Sequence, residues 1–147
     1  MPANYNSSKA QPGVQPKFLP AGDLAVYAAF TFPSSSPPTL GVGDTITMMT
    51  LPAGATVTGV TLDVDKLDTG GTPAIKLNVG DSGVTNRFVN QSAVAQAGGY
   101  QVPNINGGIG FQYQTNTPIL VTVQTAAAGA VQAGAAVRLV VNYAMDA

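Results

Sequence analysis

The side chains able to do chemistry in this chain are few. Its 147 residues include no histidine, cysteine, glutamate or tryptophan. Without imidazole there is no ordinary general base and no His-based metal site, and without thiols there is neither a disulfide nor a thiolate site. What remains is one acid cluster, Asp63, Asp65 and Asp68. Asp63 and Asp65 share the outward face of one strand, about 7 Å apart, and Asp68 follows at its end. Grouped carboxylates are the hard oxygen ligands Ca²⁺ takes, which makes the three a weak metal candidate. The opposing reading is a solvated strand face, because no dense Asp/Asn/Gly loop surrounds them to complete six or more oxygens. Glycoside hydrolysis needs carboxylates across a cleft, whereas this pair lies side by side. Gly80-Asp81-Ser82-Gly83 spells the GDSG that surrounds the nucleophile of chymotrypsin-like proteases, yet no histidine can activate Ser82. Those four residues make a turn. An Asp/Ser-dependent hydrolase is the weakest reading; the expectation is no catalytic residue, no metal and no cofactor.

Other features that carry chemistry elsewhere are equally bare here. Gly41-Val42-Gly43 and Gly107-Gly108-Ile109-Gly110 lack the following Lys-Ser/Thr and the helix N-terminus of a phosphate loop. Arg87 and Arg138 stand alone on separate strands and form no basic track; each is expected in a salt bridge or an interface contact. The net charge of −1 offers no electrostatic attraction to nucleic acid or to an anionic membrane. The N-terminus has no apolar signal core, and no run approaches the roughly 20 apolar residues of a membrane span.

The elements that must carry these residues are strands. Between Leu51 and Gly83, Val60, Leu62 and Val64 alternate with Thr61, Asp63 and Asp65, at a period of two. Val57 has the opposite parity, and the slip at Gly59 marks a β-bulge. Ile75, Leu77 and Val79 read as a return strand after a 68–73 turn, so the stretch is expected as a bent hairpin. Upstream, 23–32 alternates Leu24, Val26, Ala28, Phe30 and Phe32 inward. Its outward set, Ala25, Tyr27, Ala29 and Thr31, is apolar enough to predict burial on both faces or an interface. A strand over 44–51 puts Ile46 and Met48 on one face and Met49 on the other. Downstream, 85–90 reads as a short strand and Ser92 as the cap of one helical turn, 93–97, closed by Gly98-Gly99. Residues 100–110 read as loop, and 111–114 as the start of a hairpin that turns at 115–118 and returns over 119–125. The last strand, 136–145, faces Val137, Leu139, Val141, Tyr143 and Met145 inward.

About eight short strands, abundant Gly/Pro turns and no long amphipathic helix predict an all-β, two-sheet β-sandwich. A jelly roll is the first choice and an immunoglobulin-like sandwich the second. The expected division is an extended Pro-rich N-terminal arm, 1–22, with Pro2, Pro12, Pro16 and Pro20, and a sandwich domain, 23–147. Only 9% of residues are charged, well under the usual quarter. Such a surface favours a protein covered by neighbours over a free enzyme. The expected contacts are Tyr5, Val14, Lys17, Phe18 and Leu19 on the arm, Tyr27 on the first strand, and Arg87.

Four segments also resemble a known family. Leu51-Pro52-Ala53-Gly54, Asp65-Lys66-Leu67-Asp68, Val79-Gly80-Asp81 and Arg87-Phe88, followed by a small Ala/Gly segment, are similar to the jelly-roll cement or decoration proteins of tailed bacteriophages. About a third of the chain takes part. The resemblance implies a non-catalytic protein on the outer surface of the virion capsid, clamping neighbouring major capsid proteins. Self-association as a dimer or trimer would cover the apolar outer set of the first strand. From the charge, no nucleic-acid or membrane partner is expected. A receptor- or carbohydrate-binding domain of a tail or fibre is the alternative function for the same sandwich.

Overall fold

Alternating apolar residues give each strand one face that water disfavours, and two sheets closed on each other remove those faces together. The computed structural model describes residues 2–9, with backbone alone for 7–9, and 23–145. Among these the strands are β1 (Asn4–Lys9), β2 (Asp23–Thr31), β3 (Thr45–Leu51), β4 (Ala55–Val64), β5 (Lys76–Gly80), β6 (Val89–Ser92), β7 (Gly99–Gln101), β8 (Thr117–Thr125) and β9 (Ala136–Met145), with a 3-10 turn at Val94–Gln96. One sheet runs β1-β3-β8-β5-β6, the other β2-β9-β4-β7. All pairings are antiparallel except β1 with β3, which is parallel.

With β1 set aside, two four-stranded sheets remain, and from β2 onward every connection but β5–β6 crosses from one sheet to the other. That is the jelly roll expected from the sequence, and the immunoglobulin-like alternative falls away. Antiparallel pairing fixes two ends. Connections β2–β3, β4–β5, β6–β7 and β8–β9 share one, called proximal here. Connections β3–β4, β5–β6 and β7–β8 share the other, the distal end.

The core lies between the sheets. Leu62, Val137, Leu139, Val141 and Tyr143 from one sheet bury against Met48, Leu51, Leu77, Val79, Ile119 and Val121 from the other. Full burial of each such side chain stabilises by roughly 1.5–3 kcal/mol. The register of β4 on β9 slips between Val57 and Gly59, as the parity change predicts. β9 keeps its alternation through Tyr143, and Met145, expected inward, is only partly buried.

Several expectations are corrected. Leu51 to Gly83 is not a hairpin, because β4 and β5 belong to different sheets. The residues between them bond onward instead of back: Asp65 N–H to Ala136 (2.9 Å), Leu67 N–H to Ala95 (2.8 Å) and Thr69 N–H to Ala130 (3.1 Å). The chain is thereby carried across the proximal end. Met49 is buried rather than outward, since a register shift between Thr47 and Met49 turns it in. The strand expected over 85–90 begins only at Val89, because 84–87 closes a turn through the Arg87 N–H to Val84 bond (3.2 Å). Tyr100 lies in β7 rather than in a loop, and Pro118 inside β8 rather than in a turn. Residues 111–113 pair with the start of β4, through Tyr113 N–H to Ala55 (2.9 Å) and Val57 N–H to Phe111 (3.0 Å), and not with β8. The turn after Ser92 is 3-10 and spans Val94–Gln96.

β1 is polar and carries no alternation in its sequence. It is held by Asp44, whose carboxylate accepts Ala3 N–H (2.8 Å), and by Asn4, whose amide oxygen accepts the Thr45 and Thr47 hydroxyls (2.8 and 3.1 Å). The expected anchors Val14, Lys17, Phe18 and Leu19 lie outside the described residues.

Candidate assembly surfaces

The acid cluster does not converge. β4 and β9 pair Asp63 with Arg138, and the guanidinium bridges Asp63 (2.9 Å) and Asp65 (2.7 Å). Asp65 also accepts Ala136 N–H (2.9 Å). The Arg138 hydrogen bond first, and this backbone bond second, hold its carboxyl below the usual range. Both carboxylates are half-exposed, so each bridge is worth about 0–1 kcal/mol.

Asp68 has gone the other way, into the proximal end, where it is fully buried. Its oxygens accept five backbone N–H groups: Gly70 (3.0 Å) and Gly129 (2.9 Å) on Oδ1, and Ala74 (2.7 Å), Ile75 (3.2 Å) and Ala128 (2.9 Å) on Oδ2. Burial pushes this carboxyl up, but the backbone bonds outweigh it and hold it well below the ordinary range. Asp68 therefore ties the β4–β5 connection to the β8–β9 connection. Its lone pairs are occupied, and among the described residues no group of three or more Asp, Glu, His or Cys could hold a metal.

At the distal end a second buried carboxylate does similar work. Asp81 accepts Gly83 N–H (3.0 Å) and Val84 N–H (2.8 Å), closing the Gly80 to Gly83 turn as expected. Arg87 Nε forms a salt bridge with it, and the Tyr113 hydroxyl donates to Oδ2 (2.8 Å). Burial raises the Asp81 carboxyl, and the Arg87, Val84 and Tyr113 bonds together bring it below normal. The Arg87 guanidinium also lies 3.7 Å from the centre of the Phe111 ring, a cation–π stack. Burial, with Asp81 beside it, raises the Tyr113 phenol. Loop β5–β6 is thus locked to loop β7–β8. Asn104 reinforces the lock, accepting Asn90 N–H (2.8 Å) and donating to Asn90 C=O (3.0 Å). Gly108 must be glycine, because a Cβ there would sit 2.2 Å from Arg87 O.

The other sequence-predicted contacts fall in different places. Tyr5 packs its ring on Phe30 and Phe32, with centroids 5.5 and 5.4 Å away. Tyr27 is 53% exposed on β2, an edge strand, beside exposed Ala25 and half-exposed Ala29. Arg87 is mostly covered, its charge engaged by Asp81. Sequence reasoning did not single out Val84 (41% exposed), Val102 (50%) and Ile109 (45%) on the two distal loops. Their signal was present: aliphatic residues standing among Gly, Asn and Ser, where no strand period buries them.

No protein-family model matches this chain, and no curated protein matches it. Solved structures do. A chain in the capsid of Ralstonia phage GP4 is 28% identical over 99% of both chains, with a TM-score of 0.82. A chain of the cyanophage Pam1 capsid asymmetric unit is 33% identical, covering 93% of this chain and 99% of that one, with a TM-score of 0.72. This chain belongs to that family of phage capsid proteins. A chain from the acid-stable capsid of the Helicobacter pylori bacteriophage KHP30 shares the fold, at 18% identity and a TM-score of 0.58 over 84% of this chain.

Proposed function

We propose that this chain is a decoration, or cement, protein. It binds the outside of an icosahedral phage capsid and clamps neighbouring major capsid subunits, without catalysis. The observation that carries the reading is the likeness to the Pam1 capsid chain, at 33% identity over 93% of this chain. Physical features support it. Both deeply buried carboxylates, Asp68 and Asp81, are spent on tying loops together, which gives rigid ends suited to contact. A surface with few charges loses little hydration free energy when a neighbour covers it. The outer set of β2, around Tyr27, is the side offered for self-association as a dimer or trimer, and arm residues Val14, Lys17, Phe18 and Leu19 are offered as shell contacts.

Add-back to capsids prepared without the protein tests the reading. Saturable binding that raises their resistance to heat and chelator supports it. Absence of binding, or binding with no gain in resistance, refutes it.

A further inference from the structure

Among the described residues the two ends of the sandwich differ in charge. Asp44, Asp63, Asp65, Lys66, Asp68, Lys76 and Arg138 all lie on proximal connections or on the strand ends that feed them. Loops 81–88 and 102–116 at the distal end contain only two ionic groups, Asp81 and Arg87, and these neutralise each other beneath the surface. Elsewhere at that end Lys9 closes β1 opposite Met49, and Asp23 begins β2 and accepts the Thr58 hydroxyl (3.4 Å). What the two loops show to solvent is Val84, Val102 and Ile109 among glycine, asparagine, serine, threonine and glutamine.

These loops are also built before any partner arrives. The Asp81–Arg87–Tyr113 bonds, the Phe111 stack, the paired Asn90–Asn104 bonds and the close approach at Gly108 fix one loop against the other. A pre-ordered surface loses less conformational freedom on binding than a mobile one. Exposed aliphatics on rigid, uncharged loops complement a surface that is itself apolar and uncharged, because a charge opposite them would be desolvated without a partner.

We propose that the joined β5–β6 and β7–β8 loops are the face that seats on the shell, with Val84, Val102 and Ile109 pressed on an uncharged, apolar patch of capsid protein. This rests on the decoration reading. The charged proximal end then points away from the patch.

Co-sedimentation with capsids lacking the protein tests it, using wild type, V102D/I109D, the milder V102S/I109S, and V42D. Val42 is 65% exposed on the β2–β3 connection at the opposite end. Wild type and V42D should bind alike, V102S/I109S more weakly, and V102D/I109D about tenfold or more weakly than wild type. All four should keep the wild-type melting temperature and sedimentation coefficient. Binding of wild type with undiminished binding of V102D/I109D would overturn this inference alone. A changed sedimentation coefficient for V102D/I109D would assign the face to contact between copies of this chain and overturn it as well. Failure of wild type to bind would overturn the decoration reading, and this inference with it.

Discussion

Replacing Asp68 with Asn tests how the proximal end is held. The side chain is fully buried, so no solvent replaces what is lost. Asparagine keeps one acceptor oxygen and presents an NH₂ group to the remaining donors. Whichever way the amide turns, at least two backbone N–H groups lose their partner, from the pair on Oδ1 or the three on Oδ2. At about 1.5–3 kcal/mol for each hydrogen bond to a charged group, the loss is about 3–6 kcal/mol. A domain of this size melts roughly 2–4 °C lower per kcal/mol, so Tm should fall by roughly 6–24 °C. The pH dependence carries a sign. The native carboxyl lies below its unfolded value of about 3.9, so its contribution is complete above that pH and is lost as pH falls toward the native value. The gap between wild type and D68N should therefore be full at pH 7 and narrow below about pH 4. Calorimetry from pH 7 down to pH 2.5 measures it. A variant melting within 2 °C of wild type at pH 7 (roughly 1 kcal/mol or less), or a gap that does not change with pH, would refute the tie assigned to this residue.

Four further outcomes are expected. Gly108→Ala should destabilise by about 1–3 kcal/mol, read by urea denaturation, because the new methyl meets Arg87 O at 2.2 Å. Arg87→Lys should lose the stack on Phe111 and the forked contact with Asp81, costing about 1–2 kcal/mol on the same measurement. Arg138→Ala should shift stability by about 1 kcal/mol or less, and the shift should shrink in 1 M salt, since Asp63 and Asp65 are half-exposed. Tyr5→Ala should remove the ring contacts with Phe30 and Phe32, and hydrogen exchange should quicken at the Thr45 N–H, which bonds to Ala3 O, while β9 stays protected.

The jelly roll was legible because β2, β4 and β9 alternate cleanly and the parity slip at Gly59 announces its own bulge. Partnership was not legible. A period of two tells which side of a strand is apolar, but not which strand lies beside it, so β4 and β5 read as a hairpin although they belong to different sheets. β1 was invisible because NYNSSK has no apolar rhythm, and its pairing depends on Asn4 and Asp44, 40 residues apart. The partners of the acid cluster were not legible for a related reason. Asp63 and Asp65 were read correctly as outward, but their partner Arg138 lies more than 70 residues on. Asp68 sits where the chain leaves the strand, and only the fold turns it inward. The distal lock is likewise assembled from three places, Asp81, Arg87 and the Phe111 to Tyr113 stretch, brought together by a loop crossing.

The most direct test of the account is a cryo-EM map of the intact particle from which this protein comes. The account predicts the jelly roll on the outside of the head, bridging neighbouring shell subunits, with loops 81–88 and 102–116 against the shell. Finding the chain inside the continuous shell lattice, or on the tail, would contradict it.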